Sequence, residues 1–157
     1  MNIRKIHDED HEAIVQLMES LPEWFMPIAV EHVRIDLRYH QGFVVLNEEE
    51  QILGFVTYFV YEAVGVIGWI GVKREYHNQG IGTHLLQAVE RVLIEDGISM
   101  MQVYTLSDSV EYAPYEATRA FYYRNGFTDY RRIPTDNPGC PEELYLRKKI
   151  RDDEHEH

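Results

Sequence analysis

Apolar positions along this chain alternate between a repeat near two and a repeat near 3.6, which divides it into strands and helices. Residues 2–6 are short and partly apolar and read as a first strand. Ile14, Leu17, Met18 and Leu21 then recur at helical spacing behind Asp8, a residue type that caps helix starts, until Pro22 breaks the run. A second helix is expected at about residues 28–39, with Val30, Val33 and Leu37 on one face and Gly42 closing the pair. Residues 43–46 and 52–61 are rich in β-branched and aromatic side chains and flank a polar segment, the pattern of an antiparallel hairpin, and residues 64–72 add a third strand.

The best-defined helix is at residues 80–96, where Leu85, Leu86, Val89, Val92 and Leu93 form a buried face and Gly97 supplies the stop. A strand at 99–106, a short helix at 114–125 with Ala117 and Phe121 one turn apart, and two strands at 127–133 and 143–149 complete the pattern. The predicted order is β-α-α-β-β-β-α-β-α-β-β, an α/β fold with a mixed sheet of about seven strands and helices on both faces. No repeat or linker divides it. A length of 157 residues suits one domain, residues 1–150, followed by an acidic tail at 151–157 that is expected to be disordered.

Composition narrows the function classes. No stretch approaches the roughly 20 apolar residues of a membrane helix, and the amino terminus lacks the apolar core of a secretory signal, so no membrane partner is expected. Cys140 is the only cysteine, which suits a cytoplasmic location. The formal net charge of −12 argues against nucleic acid as a partner and favours a cationic one, although Glu48, Glu49 and Glu50 form a turn and several acids lie in the tail. His7 and His11 have the spacing of a metal pair but no third ligand is placed, so no metal is expected and surface histidines explain them. Cys140 has no recognisable histidine partner and reads as a loop thiol.

The segment that carries chemistry runs from Val72 through His77, Asn78, Gln79, Gly80, Ile81, Gly82 and Thr83. A β-branched strand here enters a glycine-rich turn that opens a helix, so several backbone N–H groups and the positive end of the helix dipole converge on one spot. That is an anion site. Gly80 and Gly82 would let a diphosphate approach the backbone. The dinucleotide fingerprint fails because Leu85 stands where a third glycine is needed, and the P-loop fails for want of Gly-Lys-Ser/Thr.

The segment from His77 to Gly82 resembles the pyrophosphate signature Q/R-x-x-G-x-G/A of the GNAT superfamily of N-acetyltransferases, with His77 at the Gln/Arg position. Downstream, Phe121-Tyr122-Tyr123-Arg124-Asn125-Gly126-Phe127 is similar to that superfamily's F-Y-x-x-x-G-F segment. Either motif alone would read as a softened turn or a packed aromatic; in order and together they identify the chain as resembling this family.

The resemblance implies a mostly antiparallel sheet with a splayed parallel pair at its centre, formed by residues 64–72 and 99–106. It implies acetyl-CoA as the acyl donor and transfer to an amine by direct attack through a tetrahedral intermediate. In the family's pattern Tyr122 faces the thioester sulfur as general acid, and the Val72 backbone N–H is the oxyanion donor. Val72, residues 77–83 and, where many relatives have asparagine, Tyr115 would bind the cofactor. Trp24, Phe25 and Met26 fall in a segment that commonly borders the acceptor pocket.

The general base stays open: Val66 stands where some relatives carry glutamate, and Glu62, Asp108 and Glu111 are the acids considered. A catalytically silent acyl-CoA sensor of the same fold is the competing reading. Acceptor identity and oligomeric state are open too, a homodimer being one option.

Overall fold

In the computed structural model, which describes residues 1–151, the chain forms β1 (Asn2–Lys5), α1 (His11–Glu19), α2 (Pro27–Asp36), β2 (Gln41–Leu46), β3 (Ile52–Tyr61), β4 (Val64–Val72), α3 (Ile81–Glu95), β5 (Met100–Leu106), α4 (Ala113–Arg124), β6 (Thr128–Pro134) and β7 (Glu142–Lys149). Of the tail expected to be disordered, residues 151–157, all but Arg151 lie outside the described residues. The strands make one sheet in the order β1-β2-β3-β4-β5-β7-β6. Every neighbouring pair is antiparallel except β4 and β5, which α3 connects as the crossover that parallel strands require.

That parallel pair holds for only two rungs, Gly65 with Met101 and Val66 with Gln102. Beyond them β4 continues to Val72 and β5 to Leu106 without pairing, so the sheet splits at its centre. The fold class expected from the sequence is thus the one observed.

Two apolar layers hold the sheet. Ile14, Leu17 and Met18 of α1 and Val33 of α2 pack with Val44, Leu46 and Phe55 on one face. On the other, Leu85, Val89 and Leu93 of α3 and Tyr122 of α4 meet Val56, Ile67, Met101, Val103, Leu144 and Leu146. The α2-side face of β5 and β7 is more open: Tyr104 is 50% exposed and stacks on Tyr145 with ring centroids 5.5 Å apart.

Three local details differ from the sequence reading. Asp8 does not cap α1. It begins a 3-10 turn, Asp8–Asp10, and Asp10 reaches back to accept the His7 N–H at 2.7 Å while Arg4 grips both its oxygens at 2.7 and 3.0 Å. Gly42 is no stop but lies inside β2, where a Cβ would stand 2.1 Å from the Val56 carbonyl oxygen. Ala117 is exposed, and the buried turn of α4 is Arg119 with Tyr122.

A register shift in β3–β4 sets Thr57 against both Gly68 and Trp69, a bulge in β4 just where β5 diverges. The Trp69 N–H displaced from the ladder donates to Thr57 Oγ1 at 3.0 Å, and the same oxygen lies 3.1 Å from His40 Nδ1. The bulge therefore keeps its polar groups satisfied inside a closed site, Thr57 being fully buried.

Gly42→Ala is expected to cost roughly 2–3 kcal/mol of stability, because the clash is with backbone and the β2–β3 ladder must open. Gly80→Ala, with open space around its Cβ but a φ of +81°, should cost only about 1 kcal/mol. Urea unfolding of the two variants checks the order, and equal losses would contradict the packing described.

Candidate active site

The site begins with the direction of backbone groups on β4. Lys73 N–H donates to Leu53 O at 2.8 Å, which makes the Val72–Gly54 rung a non-hydrogen-bonded one. The N–H and C=O of Val72 therefore point away from β3, toward the side where β5 has separated. By the same alternation Ile70 points that way too. His77 Nε2 lies 2.7 Å from the Val72 carbonyl; a carbonyl only accepts, so this ring nitrogen carries the proton. The Val72 N–H remains directed into the split.

Beyond β4 the chain makes a short 3-10 turn, Arg74–Tyr76, and turns twice through left-handed conformations, at Asn78 (φ 63°) and Gly80 (φ 81°), before α3 starts. The His77 amide is spent on Arg74 O at 3.2 Å. From there on, the amides of residues 78–83 meet no acceptor among the described residues, and no side chain caps α3, whose first bond is His84 N–H to Gly80 O at 3.0 Å. A run of unanswered donors at the positive end of a helix is complementary to a polyanion.

The sequence-predicted residues divide by role here. Asn78, Gln79, Gly80, Gly82 and Thr83 contribute amides at the surface or partly buried, whereas Ile81 contributes its amide but sinks its side chain into the core. Gly82 has a second reason to lack a side chain: a Cβ would lie 2.9 Å from the Phe121 ring, so α3 and α4 meet there.

Tyr122 is 4% exposed and packs between Phe121 and Phe127, at centroid distances of 5.3 and 5.6 Å. Its hydroxyl takes no hydrogen bond from any described residue. Thr105 Oγ1 is the enclosed side-chain oxygen without a partner among the described residues, and the Tyr122 oxygen is not enclosed to that degree. Burial pushes the phenol well above its ordinary pKa, which keeps it protonated across the neutral range. Tyr123 faces the opposite way, donating to Asp129 at 2.6 Å.

The segment between α1 and α2 lies across the two sides of the split. Trp24 Nε1–H donates to Pro114 O at 3.0 Å, and Tyr115 and Tyr112 donate to the Trp24 and Glu23 carbonyls at 2.7 Å each, all at the start of α4 beyond β5. On the β4 side, the Trp24 ring meets His77 edge-on at 5.5 Å, and Arg74 binds the Glu23 carboxylate, holding its pKa down at about 2. Tyr115, expected as a cofactor ligand, thus uses its hydroxyl proton on this strap, and burial pushes its pKa up to about 12. The sequence reading missed these bonds: their partners stand about ninety positions apart, with no local signal.

The acids weighed as bases differ in placement. Glu62 sits in the β3–β4 turn, at the opposite end of β4 from Val72, and Glu111 is exposed in a loop. Asp108 is bound by Arg132 at 2.7 Å, which lowers its pKa. Cys140 is partly buried in the β6–β7 loop, and burial raises its thiol pKa. The buried Arg119, not singled out from sequence, donates to Leu106 O at 2.8 Å and ties α4 to the end of β5. A surface concavity lined by Asp10, Leu17, Ser20 and Lys73 includes none of residues 78–83 or Tyr122. Among the described residues no helix is long and apolar enough to cross a membrane.

Comparison with known proteins agrees with this fold. Residues 3–127 match the acetyltransferase (GNAT) family. A Bacillus subtilis (strain 168) protein, the uncharacterized YxbD, is 31% identical over 86 residues, 55% of this chain and 49% of that protein, so the match spans about half of that relative's length. A Desulfovibrio desulfuricans protein assigned to the GNAT family of acetyltransferases superposes with a TM-score of 0.81 at 20% identity, over 96% of this chain and 99% of its own. An aminoglycoside 6'-N-acetyltransferase complexed with coenzyme A gives 0.76 at 16% identity, over 97% and 98%. These two show the fold.

Because the Tyr122 hydroxyl has no partner among the described residues, Tyr122→Phe is expected to leave the melting temperature unchanged or slightly raised. A thermal melt showing a loss of several degrees would mean that the hydroxyl is a structural bond after all.

Proposed function

This chain belongs to the acetyltransferase (GNAT) family, and on that premise we propose that it moves the acetyl group of acetyl-CoA to a primary amine. The observation that carries the reading is the unanswered run of amides at residues 78–83, which opens at the start of α3 beside the β4–β5 split. These donors fit the diphosphate of acetyl-CoA, and the strand edge left free at Ile70 and Val72 fits the extended, amide-bearing arm that follows it.

In this reading the Val72 N–H donates to the thioester carbonyl oxygen as negative charge grows there in the tetrahedral intermediate. The neutral amine attacks directly, and Tyr122, protonated through the neutral range, gives its proton to the departing sulfur. Tyr115 serves the site by fixing Trp24 and the strap. The lone Cys140 suits a reducing cytoplasm.

One observation favours a second reading, acyl-CoA binding without turnover: β4 carries no carboxylate, Glu62 stands at its far end and Asp108 is paired with Arg132. Release of free CoA thiol across a panel of amines separates the two.

Gly80→Asp and Gly80→Asn test the anion site, since both residue types tolerate left-handed backbone and the position has open space. The aspartate should lower acetyl-CoA affinity at least roughly tenfold relative to the asparagine in calorimetry, while the α3 N-terminus keeps or gains stability from the added negative charge. Equal affinities would remove the diphosphate from this turn. Tyr122→Phe should slow single-turnover transfer by roughly 10²–10⁴ with acetyl-CoA affinity retained. A near-normal rate would assign the proton to another donor.

A further inference from the structure

A second group of residues flanks the split on the α2 side, and neither anion binding nor the thiolate's proton uses it. On β5, Met101 and Val103 point into the α3 core, so Gln102 and Tyr104 point to the other face. Trp69, at the β4 bulge, faces that way too: its Nε1–H donates to Asp36 Oδ2 of α2 at 2.8 Å. Tyr104 lies two residues past the last β4–β5 rung, beyond which the strands separate, and Trp69 three residues past its own. On β7, Tyr145 stands opposite Tyr104 and Glu143 opposite Leu106, and Tyr145 and Glu143 share the open face, their side chains 3.4 Å apart.

Asp36 and Glu143 are both partly buried, and neither is paired with a cation among the described residues. Both lie within electrostatic reach of the Tyr104 hydroxyl, whose pKa is raised by burial first, then by Glu143, Cys140 and Asp36. Two arginines share this face: Arg147 is tied to Gln102 and the Tyr130 ring, and Arg131 stands opposite Tyr145 on β6. Two cation-free carboxylates about an exposed aromatic ring are complementary to an ammonium group, through charge-assisted hydrogen bonds and the ring face.

Such a pair suits a group that stays charged better than the amine that reacts. Nearby carboxylates raise an amine's pKa and hold it protonated, whereas the attacking nitrogen must be neutral. We propose that Asp36 and Glu143, with Tyr104 between them, hold a second cationic group of the acceptor, which makes the substrate a diamine or polyamine-like cation rather than a monoamine. This rests on the acetyl-transfer reading above and adds the class of acceptor to it. Trp69 positions Asp36 through one carboxylate oxygen, and the other accepts from no described residue.

The test pairs α,ω-diamines from 1,3-diaminopropane to 1,8-diaminooctane with n-alkylamines of equal length. Turnover is read as thiol release, and binding by calorimetry with coenzyme A present. The best diamine should exceed its monoamine in kcat/KM by roughly 100-fold, and Asp36→Asn and Glu143→Gln should each cut that ratio about tenfold through KM. Asp36→Glu should restore much of it. Both neutral variants keep a hydrogen-bonding oxygen for Trp69 or Tyr145, so the fold is spared. A wild-type ratio near one, or a ratio that neither variant moves, overturns the proposal while monoamine turnover leaves acetyl transfer intact. If no amine is acetylated but diamine binding weakens about tenfold in Asp36→Asn, the cation site stands and the transfer reading falls.

Discussion

Everything in this molecule follows from the loss of pairing between β4 and β5 after two rungs. A sheet that opens at its centre exposes backbone donors and acceptors where they would ordinarily be paired, and such groups are costly unless something meets them. The protein meets one of them itself: His77 donates to the Val72 carbonyl. It leaves the Val72 N–H directed into the gap, and a ligand able to pair like a strand would complete it. The bulge at Gly68 and Trp69 works with the separation, since it bends β4 just past the last paired rung and gives the displaced Trp69 amide to Thr57.

Around the gap, each flank carries its own chemistry. The β4 flank ends in the amides of residues 78–83 and the start of α3, a positive pole. On the β5 flank α4 brings Tyr122, whose side chain is buried and whose hydroxyl stays protonated and has no partner among the described residues. The strap at Glu23 and Trp24 bonds to both flanks, to Arg74 and His77 on one and to Tyr112, Pro114 and Tyr115 on the other. Its position fixes the distance between the flanks, so Tyr115 acts by bracing the mouth of the cleft.

Gly82 shows how one residue can satisfy two constraints that a sequence reading cannot separate. The absence of a side chain permits close approach of an anion to the helix start, and it also admits the Phe121 ring where a Cβ would be 2.9 Å away. Gly80 is the cleaner member of the pair: its φ of +81° favours glycine, and nothing crowds it.

The sequence by itself determined the elements and the two motifs, because both are written in short-range terms. Helical spacing at Leu85, Leu86, Val89 and Leu93 fixes the buried face of α3, and the glycines at 80 and 82 fix where its donors are left open. Periodicity also set the order of elements along the chain well enough to anticipate a mixed sheet. Only the tertiary structure decided how Gly42 is used, since its constraint is the Val56 carbonyl of another strand. It alone joined Trp24 to Pro114 and brought Asp36 and Glu143 within electrostatic reach of Tyr104 from three separate elements. Those relations depend on which strands lie side by side and where two of them part. Local spacing does not encode that, because it follows from how the whole chain packs its two apolar layers on one sheet.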